Sequence, residues 1–292
     1  MKKILLVLVI LSTTLASCKD DDTKESTTSN LNLTITGLSD LGADYVYEGW
    51  LLVNGAPKTT GTFTVDENGD LSKTDFQIEN NDLTTATKFI LTIEPAADSD
   101  PAPSAVHILA GDFSGNSAAV SVGDMAALGN DFTASTGKYI LATPTNGADT
   151  DENSGVWWLD PTAGPGAGLD LPTLPAGWKY EGWAVIGGTP VTTGKFTAID
   201  VVDDAAPFSA SMPGPPFPGE DFLLNAPSGV TFPTDLSGAT IVISVEPDPD
   251  NAPGPFLLKP LVGMVPVGAA DHTAYDMNNN ASNTNPSGTV KR

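Results

Sequence analysis

The sequence predicts an all-β protein: two tandem β-sandwich domains of related sequence, carried behind a lipoprotein signal peptide and a polar tether. Three observations lead there. One block of residues is written twice. Glycine (29) and proline (24) are frequent among the 292 residues, which suits short strands joined by turns. No segment sustains the apolar period of a helix. The first copy reads Tyr47-Glu48-Gly49-Trp50, then Pro57 and Thr59-Thr60-Gly61-Thr62-Phe63-Thr64. The second, 133 positions on, reads Tyr180-Glu181-Gly182-Trp183, then Pro190 and Thr192-Thr193-Gly194-Lys195-Phe196-Thr197. A further block, Ile93-Glu94-Pro95 with Pro101, Pro103, Leu109 and Gly111, returns at a shift of 152 as Val245-Glu246-Pro247 with Pro253, Pro255, Leu261 and Gly263. The second copy therefore carries a 19-residue insertion between its blocks. A self-match of this length sets the domain count at two. With 40% hydrophobic residues, each half can bury a core.

The expected organisation is a signal peptide over 1–17, a tether over 18–30, a first sandwich over 31–134, a second with a Pro-rich insertion over 135–277, and a flexible tail over 278–292. At the start, Lys2-Lys3 form a basic region, Ile4 to Leu11 an apolar one, and Leu15-Ala16-Ser17-Cys18 closes the segment. This is a secretory signal, too short to span a bilayer. Leu-Ala-Ser-Cys resembles a bacterial lipobox, which implies cleavage before Cys18 and lipidation of that residue, the sole cysteine of the chain. An ordinary secretory signal with an incidental cysteine is the alternative. Several acyl chains on one residue anchor stably where one does not. Lys19-Asp20-Asp21-Asp22 resembles the surface-export signal of Bacteroidetes lipoproteins; a plain solvated linker is the other reading. The expected location is the outer membrane, at the cell surface, with the membrane a partner through the lipid on Cys18.

Further on, Leu31, Leu33 and Ile35 alternate with polar residues as in a half-buried strand. Strands follow over Tyr45–Val53 and Lys58–Val65, with turns at Asn54-Gly55 and Asn68-Gly69. Others are expected over Thr87–Glu94, Val106–Ala110 and Ala118–Val122, with a short helical turn over Asp124–Leu128. In the second unit, strands are expected over Lys138–Thr143, Val156–Leu159, Trp178–Ile186, Val191–Val201 and Thr240–Glu246. The insertion, within Asp203–Pro233, contains Pro213-Gly214-Pro215-Pro216-Phe217-Pro218-Gly219. It is expected as an exposed ordered loop or flap, since proline cannot donate to a central ladder. In the strand at Tyr47, the side chains of Tyr47, Gly49, Leu51 and Val53 share one face, and Glu48, Trp50 and Leu52 the other. A bulge at Gly49 and Gly182 would move Trp50 and Trp183 across, and the sequence leaves that open.

The formal charge of −23 repels phosphate backbones, so nucleic acid is not an expected partner. Little here points to an enzyme. Two histidines, His107 and His272, are far from any Gly-x-Ser-x-Gly elbow, and there is no phosphate-binding glycine loop. Asp98 with Asp100, and Asp248 with Asp250, could attract Ca²⁺ weakly, but they lack EF-hand spacing and are read as solvated charge. No metal or other cofactor is expected. Paired carboxylates of the hydrolase kind are invisible in sequence. The five tryptophans are the ligand candidates, because an indole face can stack on a sugar. Trp50 and Trp183 recur and are read as core. Trp157, Trp158 and Trp178 are the binding candidates, since adjacent Trp157 and Trp158 must point to opposite faces of a strand. The repeated Tyr47, Glu48, Trp50, Gly61, Phe63 and Glu94, with Tyr180, Glu181, Trp183, Gly194, Phe196 and Glu246, are read as structural.

Tyr-x-x-Trp, then Pro-x-x-x-Gly-x-Phe, then Glu-Pro with spaced prolines and Leu-x-Gly, resembles the C-terminal extracytoplasmic domain of anti-sigma-K factors (the RskA type). Both halves match, over most of residues 31–270. The resemblance implies a β-sandwich outside the membrane. In that family a spanning helix and a cytoplasmic domain hold the sigma factor, often through a zinc-binding His/Cys helix. Neither is recognisable here, so a sigma factor is not an expected direct partner. The expectation is a non-enzymatic binding or sensing module whose partner is an envelope protein, with a glycan-binding or adhesive surface protein as the alternative.

Overall fold

A computed structural model describes residues 26–250 and 252–292. The signal segment, the lipidation at Cys18 and the tether through residue 25 lie outside the described residues. The first unit opens with β1 (Thr28–Thr36), β2 (Tyr45–Val53), β3 (Ala56–Phe63) and β4 (Asp75–Glu79). A one-turn helix, α1 (Asn80–Thr85), leads to β5 (Ala86–Pro95), β6 (His107–Ser114), β7 (Ser117–Ser121) and β8 (Thr136–Leu141). The second begins with β9 (Gly155–Trp157) and three two-residue strands, β10 (Leu159–Asp160), β11 (Gly166–Ala167) and β12 (Leu169–Asp170). It continues through β13 (Trp178–Ile186), β14 (Thr189–Phe196), β15 (Gly219–Asp221), β16 (Thr240–Pro247), β17 (Leu261–Met264) and β18 (Tyr275–Asn279). A short α2 (Ala281–Thr284) precedes β19 (Ser287–Lys291). Among the described residues no helix is long and apolar enough to cross a membrane. The fold is all-β, as expected, in two large sheets that each curl into a nearly closed, barrel-like sandwich.

One sheet runs β3-β2-β5-β6-β7-β19-β1-β4, and the other β14-β13-β16-β17-β18-β8-β9-β15. The two orders match strand for strand, β2 with β13 and β5 with β16. One position in each is filled from the other repeat. Along the chain β8 follows β7 as β19 follows β18, so by order each is the last strand of its repeat, although the sequence blocks put residue 135 onward in the second unit. Yet β8 lies between β18 and β9, while β19 lies between β7 and β1. The copies have exchanged their last strands. This corrects the flexible tail expected over 278–292. Ser287–Lys291 pairs on both edges, Val290 is fully buried, and Arg292 donates to the carbonyls of Leu83, Ala86 and Gly115. A strand with a single large apolar residue is held here by two ladders rather than by hydrophobicity.

The repeated residues can be accounted for in turn. Tyr47 is buried, stacks on Phe63 at 5.5 Å and donates its hydroxyl to the Ser39 carbonyl; Tyr180 stacks on Phe196 at 5.6 Å and donates to Pro172. Gly61 and Gly194 have φ of 109° and 110°, a region costly for any side chain. They sit beside a bulge in which Thr60, or Thr193, is the extra residue. That bulge belongs to β3 and β14. Pairing of β2 with β5 runs unbroken through Gly49–Leu91 and Trp50–Ile90. The alternation of β2 therefore survives, and Trp50 stays on the outer face with Glu48, as Trp183 does with Glu181.

The Pro-rich insertion is ordered, as expected, but less exposed than expected. Its end forms the edge strand β15, and Phe217, Glu220, Asp221 and Phe222 are buried. Residues before β15 cover the outer face of β9. An added methyl at Gly214 would come within 2.3 Å of the Trp157 ring, so the backbone lies directly on the indole.

Candidate functional site

The outer face of β13, β14 and β16 collects polar groups that a sandwich would ordinarily leave in water. Trp183 donates its indole N–H to Ser244 Oγ at 2.8 Å, and Ser244 donates to Glu246. Glu246 Oε1 also accepts the Phe256 amide at 2.8 Å, which pins the loop after β16. Thr192 donates to Glu181 Oε1 at 2.5 Å. Asp250, on the pinned loop, brings a third carboxylate: one oxygen from each of Glu181, Glu246 and Asp250 lies within 4.8 Å of the other two. Lys195 approaches from β14, 3.1 Å from Asp250 and 4.0 Å from Glu181. Burial pushes the Glu246 carboxyl up to about 7, and Glu181 and Asp250 push the same way. Burial likewise raises Glu181.

The first unit repeats this hydrogen-bond pattern. Trp50 donates to Thr92 at 2.9 Å, Thr92 to Glu94, Thr59 to Glu48, and the Ser104 amide to Glu94 at 2.8 Å. Glu48, Glu94 and Asp98 are the counterparts of the acidic triplet, and burial first, then the charges of Glu94 and Asp98, push the Glu48 carboxyl up. The settings differ. Glu48 is half-buried and Asp98 exposed, whereas Glu181 and Glu246 are 4% and 0% exposed. Glu181 and Asp250 open on a recess of about 390 Å³ whose walls include Trp183, Phe208 and Pro227, so the insertion roofs it, with Glu246 buried behind them.

Across the pinned loop lies a second recess, about 340 Å³, between the units. The first unit contributes Leu41, Tyr45 and Ile93; the second contributes Pro247, Pro253 and Phe256. Its walls are mainly apolar.

The tryptophan candidates lie in the interior. Trp158 is fully buried in the barrel core, where its ring fills the space left by Gly182. Trp178 is 3% exposed and packs against Phe256 at 6.1 Å. Trp157 does point outward, as strand alternation requires, but the insertion covers it and Asp221 accepts its indole N–H at 2.8 Å. All five indoles are 4% exposed or less. Another buried acidic group fastens the insertion. Asp221 accepts from the Thr145 amide and hydroxyl, Glu220 from Ser209, and Asp203 from the Gly219 amide at 3.0 Å. Burial pushes both Asp203 and Glu220 up to about 7.

His107 is half-buried, with Nδ1 2.8 Å from the Ala126 carbonyl, and His272 lies beside Asp271 and Glu152. Sequence reasoning named Glu181 and Glu246 but missed that Asp250 and Lys195 join them. One signal was available: Asp98 and Asp250 are related by the same 152-residue shift as Glu94 and Glu246, whereas Asp100 and Asp248 have alanine counterparts. Comparison with family models, with curated proteins and with solved structures gave no match to the chain.

Proposed function

We propose that this is a lipid-anchored, extracytoplasmic protein of the outer membrane, a non-enzymatic binding or sensing module resembling two outer domains of anti-sigma-K factors. The observation that carries the binding role is the apolar recess between the units, lined by Leu41, Tyr45, Pro253 and Phe256. An apolar concavity at a junction of domains is a common place for a ligand or a partner's side chain. The repeated residues are occupied in holding strands and loops, which favours a scaffold over a catalyst. The acidic triplet is the nearest thing to a catalytic pair. With Glu246 fully buried and both its bonding partners on the protein, it has no approach for a scissile bond. The glycan reading needs two exposed indoles in one groove, and the burial of all five takes away its stacking surface.

Two experiments test this. Mass spectrometry of the mature chain should find acylated Cys18 at the N-terminus, and Cys18→Ala should release the protein from membranes. Crosslinking on intact cells should capture a partner through the recess with the natural chain and lose it with Leu41→Arg. Equal capture by both would refute the recess as the binding surface.

A further inference from the structure

We propose that the acidic triplet of the second unit is a site for a divalent cation of the calcium class, with Glu181, Glu246 and Asp250 as ligands. The inference is independent of what the recess between the units binds.

The argument begins with what the fold leaves unused. Each glutamate spends one oxygen on the fold: Oε1 of Glu181 on Thr192, and Oε1 of Glu246 on Ser244 and the Phe256 amide. Oε2 of both is buried with no hydrogen-bond donor. A buried carboxylate oxygen without a donor is costly; Glu246 Oε2 has none, and Glu181 Oε2 has only the Lys195 ammonium at 4.0 Å. Lys195 answers part of this charge. Its ammonium reaches Asp250 at 3.1 Å and lies 4.0 Å from Glu181 Oε2. Three ionised carboxylates against one ammonium leave two formal negative charges, which a divalent cation would neutralise.

The repeat separates the carboxylates from the lysine. Glu48, Glu94 and Asp98 stand where Glu181, Glu246 and Asp250 do, but Thr62 stands at the place of Lys195. The triplet is therefore the shared feature, and the ammonium an addition to one copy. Hard oxygen ligands with no imidazole or thiolate select Ca²⁺ or Mg²⁺ over zinc or copper. One ligand sits on a loop, which suits the tolerant coordination of calcium better than the octahedron magnesium requires. The insertion roofs the recess on which Glu181 and Asp250 open with Phe208 and Pro227, lowering the effective dielectric around the charges.

Terbium is the probe, because it takes calcium-type oxygen sites and Trp183, in the wall of the same recess, can sensitise its emission. Titrating the full chain with Tb³⁺ at pH 7.5 should give indole-sensitised emission that Ca²⁺ displaces, with half-displacement at about 10⁻⁴–10⁻³ M as in extracellular calcium modules. Calcium at ten times that level should raise the melting temperature by about 3 °C. Asp250→Asn and Glu246→Gln should each weaken binding by about tenfold or more, and Gln keeps the oxygen that accepts from Phe256. Lys195→Met should tighten it by about tenfold, since it removes a competing charge. The proposal is overturned if neither the natural chain nor the Lys195→Met chain gives displaceable emission or a calcium-dependent melting shift. It is also overturned if Asp250→Asn and Glu246→Gln titrate like the natural chain. Even if both substitutions unfold the protein, the Lys195→Met comparison decides the matter.

Discussion

Removing residues 286–292 tests the exchanged strands most directly. If β19 were a frayed end, its loss would change stability by about 0.5 kcal/mol or less. The structure argues for much more. Val290 is fully buried, worth about 2 kcal/mol in transfer alone. Arg292 donates to Leu83, Ala86 and Gly115, and charge-assisted bonds of this kind contribute roughly 1–2 kcal/mol in total once solvent screening is allowed for. Both ladders also go, to β1 from Asn32 to Thr36 and to β7 from Ser117 to Ser121. Ordering of the strand offsets part of that gain. A loss of roughly 4–6 kcal/mol is expected, close to the whole stability of many domains. Hydrogen exchange read by mass spectrometry is the suitable assay, because it resolves segments where fluorescence averages five tryptophans. Amides of β1 and β7 should lose protection by a factor of 100 or more, while those of β13 and β16 change far less. Added peptide covering 285–292 should restore protection in trans. Unchanged protection in β1 and β7 after truncation would refute the exchanged-strand account.

Two further predictions concern the second unit. Asp203, Glu220 and Glu246 are each pushed up to about 7 by burial, so the folded state keeps protons that the unfolded chain releases near pH 4–4.5. Their stabilisation is complete below that range and is lost as pH rises towards 7, at up to about 3 kcal/mol per group. In metal-free buffer the urea midpoint should fall between pH 5 and pH 7.5, and Glu220→Gln should flatten the slope; a rising midpoint would contradict the argument. Separately, Trp157→Ala removes the ring on which Gly214 and Gly219 pack and the donor to Asp221. It should cost about 3–5 kcal/mol and open residues 205–216 to limited proteolysis, with β13 and β16 remaining resistant.

What the sequence disclosed and what it concealed follow from one distinction. The periodicity of Leu31-Leu33-Ile35 and the apolar run of Trp178–Ile186 are local, and both segments are strands, the first with its alternating residues inward. Duplication was legible because it is a relation between positions in one string. The strand exchange was half legible. Thr136-Gly137-Lys138-Tyr139 and Ser287-Gly288-Thr289-Val290 correspond at a shift of 151, which marks the final segment as a strand. A self-match cannot say which copy a strand joins, because both barrels offer the same gap. The tryptophans failed for a related reason: alternation correctly sends Trp157 outward, but what lies over it comes from residues 214–219, far along the chain. The acidic triplet needed register. Glu181 pairs with Ser244, and Glu246 lies two residues along β16 on the same face, a diagonal neighbour within reach of a long side chain. Asp250 arrives on the loop after β16, which the Asp248 amide bond to Gly177, the Phe256 amide bond to Glu246 and the Lys195 bond to Asp250 hold in place. A carboxylate that both anchors this loop and keeps one oxygen free cannot be assigned wholly to folding, and that free oxygen is the reason for testing the site with a cation rather than with a substrate.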